Sequence, residues 1–228
     1  MKGQENVRLV VGYDPREAVA YHVFTQSVIE HATLPVMFVP LSARSLSFYR
    51  ETHSDGSNAF IYSRFLTPLL MNYQGWAIYA DGDMVCQRDI RELWALRDAS
   101  KAVQVVKHDY RTKAAKKYLG NCNEDYPRKN WSSVILWNCG HEANAVLTPE
   151  LVENQTGAFL HRFSWLEDEL IGDLPMEWNW LTTEYDDNLE ASLLHYTLGT
   201  PCFSEYRDAD LAEVWKLYHQ LTQAGMDV

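Results

Sequence analysis

The chain has 228 residues and a formal net charge of −11, which disfavours nucleic acid or an anionic bilayer as its main partner because both repel an acidic protein. Hydrophobic residues make up 46% of the chain and no internal repeat divides it, so we predict one domain over residues 1–228. The N-terminal apolar run is too short for a signal peptide, and no run reaches the roughly 20 residues of a membrane span. We therefore expect a cytoplasmic protein, with its four cysteines reduced because none forms a C-x-x-C pair.

Strands and helices alternate in the predicted secondary structure. Asp14 followed by Pro15 is typical of a helix N-terminus, and Pro68 is expected to bend the helix that contains it or to lie near its boundary. An apolar stripe at helical spacing indicates another helix near the C-terminus. In chain order we predict a strand at 7–11, a helix at 15–31, a strand at 36–39, a helix at 59–73, strands at 76–80, 102–106 and 133–137, a helix from Thr148, a strand at 193–197 and a helix at 211–221.

This alternation predicts an α/β fold with a mixed, mainly parallel sheet flanked by helices, in which ligands bind beyond the carboxyl ends of the strands. Asp81 and Asp83 follow the strand predicted at 76–80 and so lie at such an end. Two ionised carboxylates this close repel each other, and a divalent cation such as Mg²⁺ or Mn²⁺ relieves that repulsion. Gly82 between them leaves room for the backbone and for phosphate groups. The alternative is an ordinary solvated D-G-D turn.

Six motifs follow one another along the chain: G-Y-D-P-R-E-A (12–18), F-I-Y-S-R-F (60–65), Y-A-D-G-D-M (79–84), W-S-S-V-I-L-W-N-C (131–139), L-P-M-E-W-N-W-L (174–181) and L-H-Y-T-L-G-T-P (194–201). Together and in this order they resemble the retaining glycosyltransferases of family 8 and their small bacterial relatives, which have a GT-A (Rossmann-like) fold. The resemblance implies a hexosyltransferase that moves a sugar, with retention, from a nucleotide-diphosphate sugar to a glycan or other hydroxyl acceptor. UDP is the nucleotide it implies.

By this resemblance, Asp81, Asp83 and His195 hold Mn²⁺ (or Mg²⁺) against the donor diphosphate. A lone histidine on an apolar strand is more often a satisfied core residue, but imidazole beside two carboxylates suits Mn²⁺. The other histidines, His161 among them, are interpreted as structural.

The donor site implied by the resemblance begins at the end of the first strand. Tyr13 is expected to stack on the base and Asp14 to bond its edge, although Asp14 also has a simpler interpretation as a helix cap. Arg64 is expected to reach the donor sugar or phosphates, the alternative being an exposed salt bridge. Ala80 and Gly82 flank Asp81 and complete the donor-binding set.

The late motif departs from the family pattern, which places a diphosphate-binding lysine after the histidine. His195 is followed by Y-T-L-G-T-P, without a lysine. Arg64 and the backbone N–H groups around Gly199 and Thr200 are the candidates to replace it.

The acidic run before L-P-M-E-W-N-W-L matches the segment beside the reacting sugar in the resembling enzymes. Asp168 and Glu169 are the candidate catalytic residues, and a solvated acidic helix end is the alternative for each. Trp178, Asn179 and Trp180 are predicted to offer a stacking face and an amide on the acceptor side.

Residues 107–130, here called the basic segment, contain seven lysines and arginines in a strongly acidic protein. We interpret the segment as a mobile lid or a docking surface for an acidic acceptor, against the commoner alternative of a solvated face.

Two other classes of protein fit part of the sequence. A haloacid-dehalogenase-type phosphatase would use Asp81 and Asp83, with Asp186 and Asp187 as a later acidic pair, but its nucleophile normally follows the first strand. A non-catalytic carbohydrate-binding module is supported by the tryptophans alone.

Overall fold

The computed structural model describes residues 6–223, which contain nine strands and six α-helices joined by short 3-10 turns. The strands are β1 (Val7–Gly12), β2 (Val36–Leu41), β3 (Trp76–Ala80), β4 (Met84–Cys86), β5 (Val103–Val105), β6 (Val134–Asn138), β7 (Ile171–Asp173), β8 (Trp180–Leu181) and β9 (Leu193–His195). The helices are α1 (Ala18–His31), α2 (Thr67–Leu70), α3 (Ile90–Ala95), α4 (Pro149–Asn154), α5 (Gly157–His161) and α6 (Ala212–Thr222).

Six strands form the central sheet in the order β2-β1-β3-β6-β5-β7. β1 is parallel to β2 and β3, and β7 is parallel to β5, whereas β6 runs antiparallel to both of its neighbours. The predicted α/β class with a mixed, mainly parallel sheet is confirmed. A second sheet, β4-β9-β8, lies beyond the carboxyl end of β3 and packs against α1.

The central sheet separates two apolar cores because successive side chains of a strand point to opposite faces. Val10 of β1 and Tyr79 of β3 belong to one core, and Leu9 of β1 and Ile78 of β3 belong to the other. Since β1 and β3 are buried on both faces, their ends are held firmly by packing. The candidate site lies at the carboxyl ends of these two strands.

The prediction of a single helix at 59–73 is wrong. The chain forms turns, a 3-10 helix at Ser63–Leu66 and then the four-residue helix α2. Pro68 lies in the first turn of α2, where its missing N–H is tolerated, and Asn72 and Tyr73 end the helical stretch with positive φ angles of 53°. The prediction also missed the short elements β4, β7, β8, α3 and α5.

Gly82 allows the turn between β3 and β4 to lie against the end of β1. A Cβ atom on Gly82 would come within 2.4 Å of the carbonyl oxygen of Gly12, and a Cβ atom on Gly12 would meet the ring of Phe60 at 2.6 Å. The space at Gly82 that we predicted for phosphate groups is thus filled by the protein's own backbone. This contact fixes how closely Asp81 and Asp83 approach β1.

We expect Gly82→Ala to destabilise the fold by about 1–3 kcal/mol, because relief of the contact with the Gly12 carbonyl must move backbone rather than a flexible side chain. Thermal unfolding measures the effect. Gly140→Ala is the matched control, since the nearest atom to its new Cβ lies at 3.4 Å. Equal melting temperatures for the two variants would contradict the packing role.

Candidate functional site

Three metal-ligating side chains meet beyond the carboxyl end of β3. Asp81 follows β3, Asp83 precedes β4, and His195 ends β9, which pairs antiparallel with β4 so that Met84 lies opposite His195. The three offer ligand atoms that all lie within 4.8 Å of one another, and each side chain is buried. The register of β4 and β9 therefore joins residues that are more than one hundred positions apart.

Asn179 orients the imidazole of His195. Its side-chain amide donates to the hydroxyl of Ser133 at 2.9 Å and to the carbonyl oxygen of Asn130 at 3.2 Å, which leaves its Oδ1 to accept from His195 Nδ1 at 2.9 Å. With Nδ1 donating to this oxygen, Nε2 is the ring nitrogen that faces Asp83. Asn179 is fully buried, so its predicted place on the acceptor side is wrong.

The three side chains fit a divalent cation. His195 Nε2 and Asp83 Oδ1 face each other at 3.4 Å, and Oδ1 accepts no hydrogen bond from any residue that the structure describes. A divalent cation bound by these groups would compensate the charges of the two neighbouring carboxylates. Carboxylate oxygens with one imidazole are ligands that Mg²⁺ and Mn²⁺ accept.

Arg64 holds the other carboxylate of the pair. Its guanidinium lies 3.0 Å from Asp81 Oδ1 and donates to the carbonyl oxygen of Ser132 at 2.8 Å, while the hydroxyl of Tyr79 donates to Asp81 at 2.7 Å. Burial raises the pKa of Asp81, and the charge of Arg64 opposes this rise without cancelling it. Arg64 is only 4% exposed, so the alternative of an exposed salt bridge is wrong.

The cleft in front of these residues continues into a neighbouring cavity. The two spaces have volumes of about 60 and 230 Å³ and share Ile61, Tyr126 and His161 as a common wall. The larger space is also lined by Tyr62 and Asp55, whose hydrogen bond measures 2.6 Å.

His161 was interpreted as structural, and the structure brings it into the cleft. Its Nδ1 is bonded to the hydroxyl of Ser132 at 2.7 Å, whereas its Nε2 is buried and has no partner among residues 6–223. Burial holds the pKa of His161 well below its usual range, so the ring is neutral at physiological pH. No local pattern in the sequence distinguishes His161 from a core histidine.

Asp14 caps the first helical turn. Its carboxylate accepts from the backbone N–H groups of Arg16 and Ala59, each at 2.9 Å, and forms an ion pair with the Arg16 guanidinium. The capping interpretation is confirmed, and the predicted contact of Asp14 with the base edge stays a prediction. Tyr13 is half-buried, with its ring edge-on to Tyr21 at 5.6 Å, and its stacking on the base stays a prediction.

The remaining donor candidates are engaged within the protein. Ala80 belongs to β3 and pairs with Val134. The N–H of Gly199 donates to the Tyr196 carbonyl oxygen at 3.0 Å, and the fully buried hydroxyl of Thr200 lies 2.9 Å from Cys202 Sγ. The Gly199 N–H is therefore already bonded within the protein, which argues against its predicted contact with a phosphate group, whereas the contact predicted for the backbone N–H of Thr200 stays a prediction.

Asp168 and Glu169 lie outside the cleft, before β7. The carboxylate of Asp168 is 77% exposed and pairs with Arg128 at 2.5 Å, and the backbone carbonyl of Glu169 accepts from Lys101 at 2.8 Å. β7 is parallel to β5 and antiparallel to β6, so its start lies on the side of the sheet away from the carboxyl end of β3. The structure does not bring these two carboxylates to Asp81.

The two predicted acceptor tryptophans have different surroundings. Trp178 is 3% exposed and packs in the core beside Leu174, so its predicted stacking on an acceptor is wrong. Trp180 is half-buried against Tyr185 at 5.2 Å, and its indole N–H donates to the carbonyl oxygen of Asp186. Its acceptor role stays a prediction.

The basic segment is tied to the body of the protein at its base. Buried Glu184 accepts from the backbone N–H of Lys113 at 2.8 Å and from the side-chain amide of Asn123 at 3.3 Å. Lys129 donates to Asn123 Oδ1 at 2.7 Å, and burial lowers the pKa of this lysine to about 8. One lysine of the segment, Lys117, reaches the wall of the cleft.

Comparisons with known proteins agree with this geometry. The sequence model of glycosyl transferase family 8 matches residues 15–143. The chain is 45% identical over 217 residues to Protein CDI of Arabidopsis thaliana, covering 91% of this chain and 84% of that protein.

Solved structures with a similar fold include the WbbM bifunctional glycosyltransferase, with a TM-score of 0.70 at 17% identity, covering all of this chain. The chain spans 52% of the WbbM chain. The galactosyltransferase LgtC, in complex with donor and acceptor sugar analogs, has a TM-score of 0.60 at 14% identity over 94% of this chain and 96% of its own. GlyE of Streptococcus pneumoniae TIGR4 has a TM-score of 0.62 at 15% identity, covering 93% of this chain and 60% of its own.

We expect Asn179→Ala to weaken Mn²⁺ binding by about 10–100-fold, because His195 loses the hydrogen bond that fixes its ring and its tautomer. Calorimetric titration of the apoprotein with Mn²⁺ measures this change. Asn138→Ala is the control, since Asn138 ends β6 away from the cleft and its amide donates to the Lys101 carbonyl oxygen. Unchanged Mn²⁺ affinity in Asn179→Ala would remove Asn179 from the site.

Proposed function

Because the chain belongs to glycosyl transferase family 8, we propose that it is a metal-dependent enzyme that moves a sugar from a nucleotide-diphosphate sugar to a hydroxyl acceptor. Membership of the family makes the chain a glycosyltransferase of the GT-A fold. It decides against both alternatives, the haloacid-dehalogenase-type phosphatase and the non-catalytic carbohydrate-binding module.

The observation that supports the metal dependence is the meeting of three buried ligand groups: Asp83 Oδ1 and His195 Nε2 lie 3.4 Å apart, and Asp81 lies beside them. Asp81, Asp83 and His195 are the residues that would hold the cation. When bound, a divalent ion supplies positive charge against the diphosphate leaving group. Mn²⁺ is our first candidate and Mg²⁺ the second.

The chain's own residues prepare the cleft for this chemistry. Asn179 keeps the proton of His195 on Nδ1, so that Nε2 remains a ligand. Arg64 and Tyr79 fix the carboxylate of Asp81 by three short contacts. All these groups are buried, so water is excluded from the place where the sugar would be transferred. The exclusion of water strengthens the electrostatic interactions there.

We place the sugar where the cleft meets the neighbouring cavity. His161 Nε2 is buried at this boundary without a partner among the described residues, and a buried polar atom without a hydrogen bond costs free energy. A sugar hydroxyl would satisfy this nitrogen. Tyr62 and Tyr126 offer aromatic faces on the same side.

UDP as the nucleotide, stacked on Tyr13, and retention of the anomeric configuration are further parts of the proposal. Their support is the motif resemblance to the retaining family. Proton NMR of the first-formed product distinguishes retention from inversion, since the two anomers differ in the coupling of the anomeric proton.

A glycan or other hydroxylated molecule is the proposed acceptor. The exposed lysines of the basic segment would attract an acidic acceptor. Among residues 6–223, no helix is long and apolar enough to cross a membrane. A cytoplasmic location and a bacterial source stay predictions, and the 45% identical relative is a plant protein.

We expect thermal-shift screening to find a nucleoside diphosphate that stabilises the protein only with Mn²⁺ or Mg²⁺, because a ligand of the folded state raises its stability by mass action. Asp83→Asn should abolish the metal-dependent shift. Asp187→Asn is the matched control: Asp187 is exposed, and it belongs to the acidic pair of the phosphatase alternative. A shift without metal, or none for any nucleotide, would contradict the proposal.

The catalytic assignment of Asp168 and Glu169 stays a prediction that kinetics can decide. A residue acting in the transition state lowers kcat and kcat/KM together when it is removed. Both carboxylates are exposed, and an exposed ion pair such as Asp168–Arg128 contributes little. We therefore expect Asp168→Asn and Glu169→Gln to keep kcat and kcat/KM within about twofold. Donor hydrolysis at saturating Mn²⁺ is the assay.

A further inference from the structure

Lys117 has no role in the site described so far, although it lines the same cleft as Asp81 and Asp83. We propose that Lys117 binds the diphosphate of the nucleotide-sugar donor and replaces the lysine that is missing from the motif after His195. This inference rests on the proposed function and adds an anion-binding residue to it.

A short hairpin, residues 116–122, carries Lys117 to the cleft. Lys116 and Cys122 form an antiparallel bridge, and the N–H of Lys117 donates to the carbonyl oxygen of Asn121 at 2.8 Å. Leu119 and Gly120 close the turn with positive φ angles of 56° and 76°. The hairpin thus presents Lys117 from a defined backbone.

Hydrogen bonds within the segment and to other parts of the chain hold the hairpin in place. At its base, Asn123 donates from its backbone to the Ala115 carbonyl oxygen at 3.0 Å and from its side chain to that of Ala114 at 2.7 Å, which joins the two arms. The amide of Asn121 reaches the carbonyl oxygen of Ser57, which also lines the cleft. These contacts position Lys117 beside the cleft.

The ammonium of Lys117 is half-buried yet unpaired within residues 6–223, where it forms no salt bridge and no side-chain hydrogen bond. Long basic side chains without a partner normally extend their charge into solvent. Burial lowers the pKa of Lys117, and the carboxylates of Asp83 and Asp81 oppose this shift. These carboxylates compensate the charge of Lys117 from beyond salt-bridge distance, so the N–H groups of its ammonium have no acceptor among residues 6–223 and can donate to a ligand.

Charge balance indicates the class of that ligand. Arg64 and Lys117 balance the two carboxylates, so the cleft lacks the net charge that would hold an anion by itself. A divalent cation between Asp81 and Asp83 leaves an excess of two positive charges, which matches a nucleotide-sugar diphosphate with one negative charge on each phosphate group. Arg64 is already committed to Asp81 and Ser132, which leaves Lys117 to meet the phosphate oxygens.

The test compares two adjacent lysines. Lys117→Ala and Lys116→Ala remove the same charge from the same hairpin, but Lys116 is exposed and does not line the cleft. Calorimetry with Mn²⁺ measures the affinity for UDP, GDP, ADP and CDP, and for the corresponding nucleosides as a phosphate-free reference. The best nucleotide for the wild-type protein is carried forward.

We expect Lys117→Ala to weaken nucleoside diphosphate binding by about 10–100-fold, the range of a lost charge-assisted hydrogen bond, and Lys116→Ala to change it by less than about twofold. Nucleoside binding and Mn²⁺ affinity should be kept by both variants, and Lys117→Arg should recover part of the loss. Equal diphosphate affinity in Lys117→Ala and Lys116→Ala, with the wild-type protein binding normally, would overturn this inference alone. Absence of metal-dependent binding by the wild-type protein would overturn the proposed function and this inference with it.

Discussion

The repulsion between two buried carboxylates is the constraint on which the site depends. Asp81 and Asp83 are separated by one glycine and are almost fully removed from water, where their charges are costly. Arg64 compensates Asp81 directly, whereas the only side chain that faces Asp83 within ion-pair distance among residues 6–223 is the imidazole of His195. This difference between the two carboxylates is the reason why we propose a cation at this site. The contact of Gly82 with Gly12 and the hydrogen bond from His195 to Asn179 both serve this arrangement.

Local chemistry was sufficient to predict the elements that bring the aspartates to the sheet edge. The apolar run at 76–80, the cap at Asp14 and the proline at the start of α4 each act within a few residues, and the structure has a strand or helix at each. The helix predicted at 59–73 failed because residues 59–62 form turns, and Asn72 and Tyr73 end the helical stretch with positive φ angles, so that only a 3-10 helix and the short α2 lie between them. Strands of two or three residues, such as β4 and β8, are stabilised by their neighbours and leave no pattern of their own.

Side-chain roles were predictable only where chemistry left little choice. Two aspartates directly after a buried strand favour metal binding, and the resemblance to family 8 identified His195 as the third candidate ligand. The W-N-W stretch shows the opposite case: its residue types suit an acceptor, yet Trp178 points into the core and Asn179 is fully buried against His195. Which face of a short segment meets the ligand is set by tertiary packing. The same limit applies to Lys117, since the basicity of residues 107–130 is visible in the sequence but the turn at Leu119 and Gly120 decides which lysine faces the cleft.

The overall charge of the protein bears on the proposed dependence on a cation. A net charge of −11 attracts divalent ions and repels a diphosphate anion at long range. Arg64 and Lys117 alone only neutralise the two carboxylates around them. Under the proposed function, attraction for the donor would therefore arise only with a cation present, either already in the site or carried in by the diphosphate. A few buried groups at one sheet edge would then decide when the donor binds.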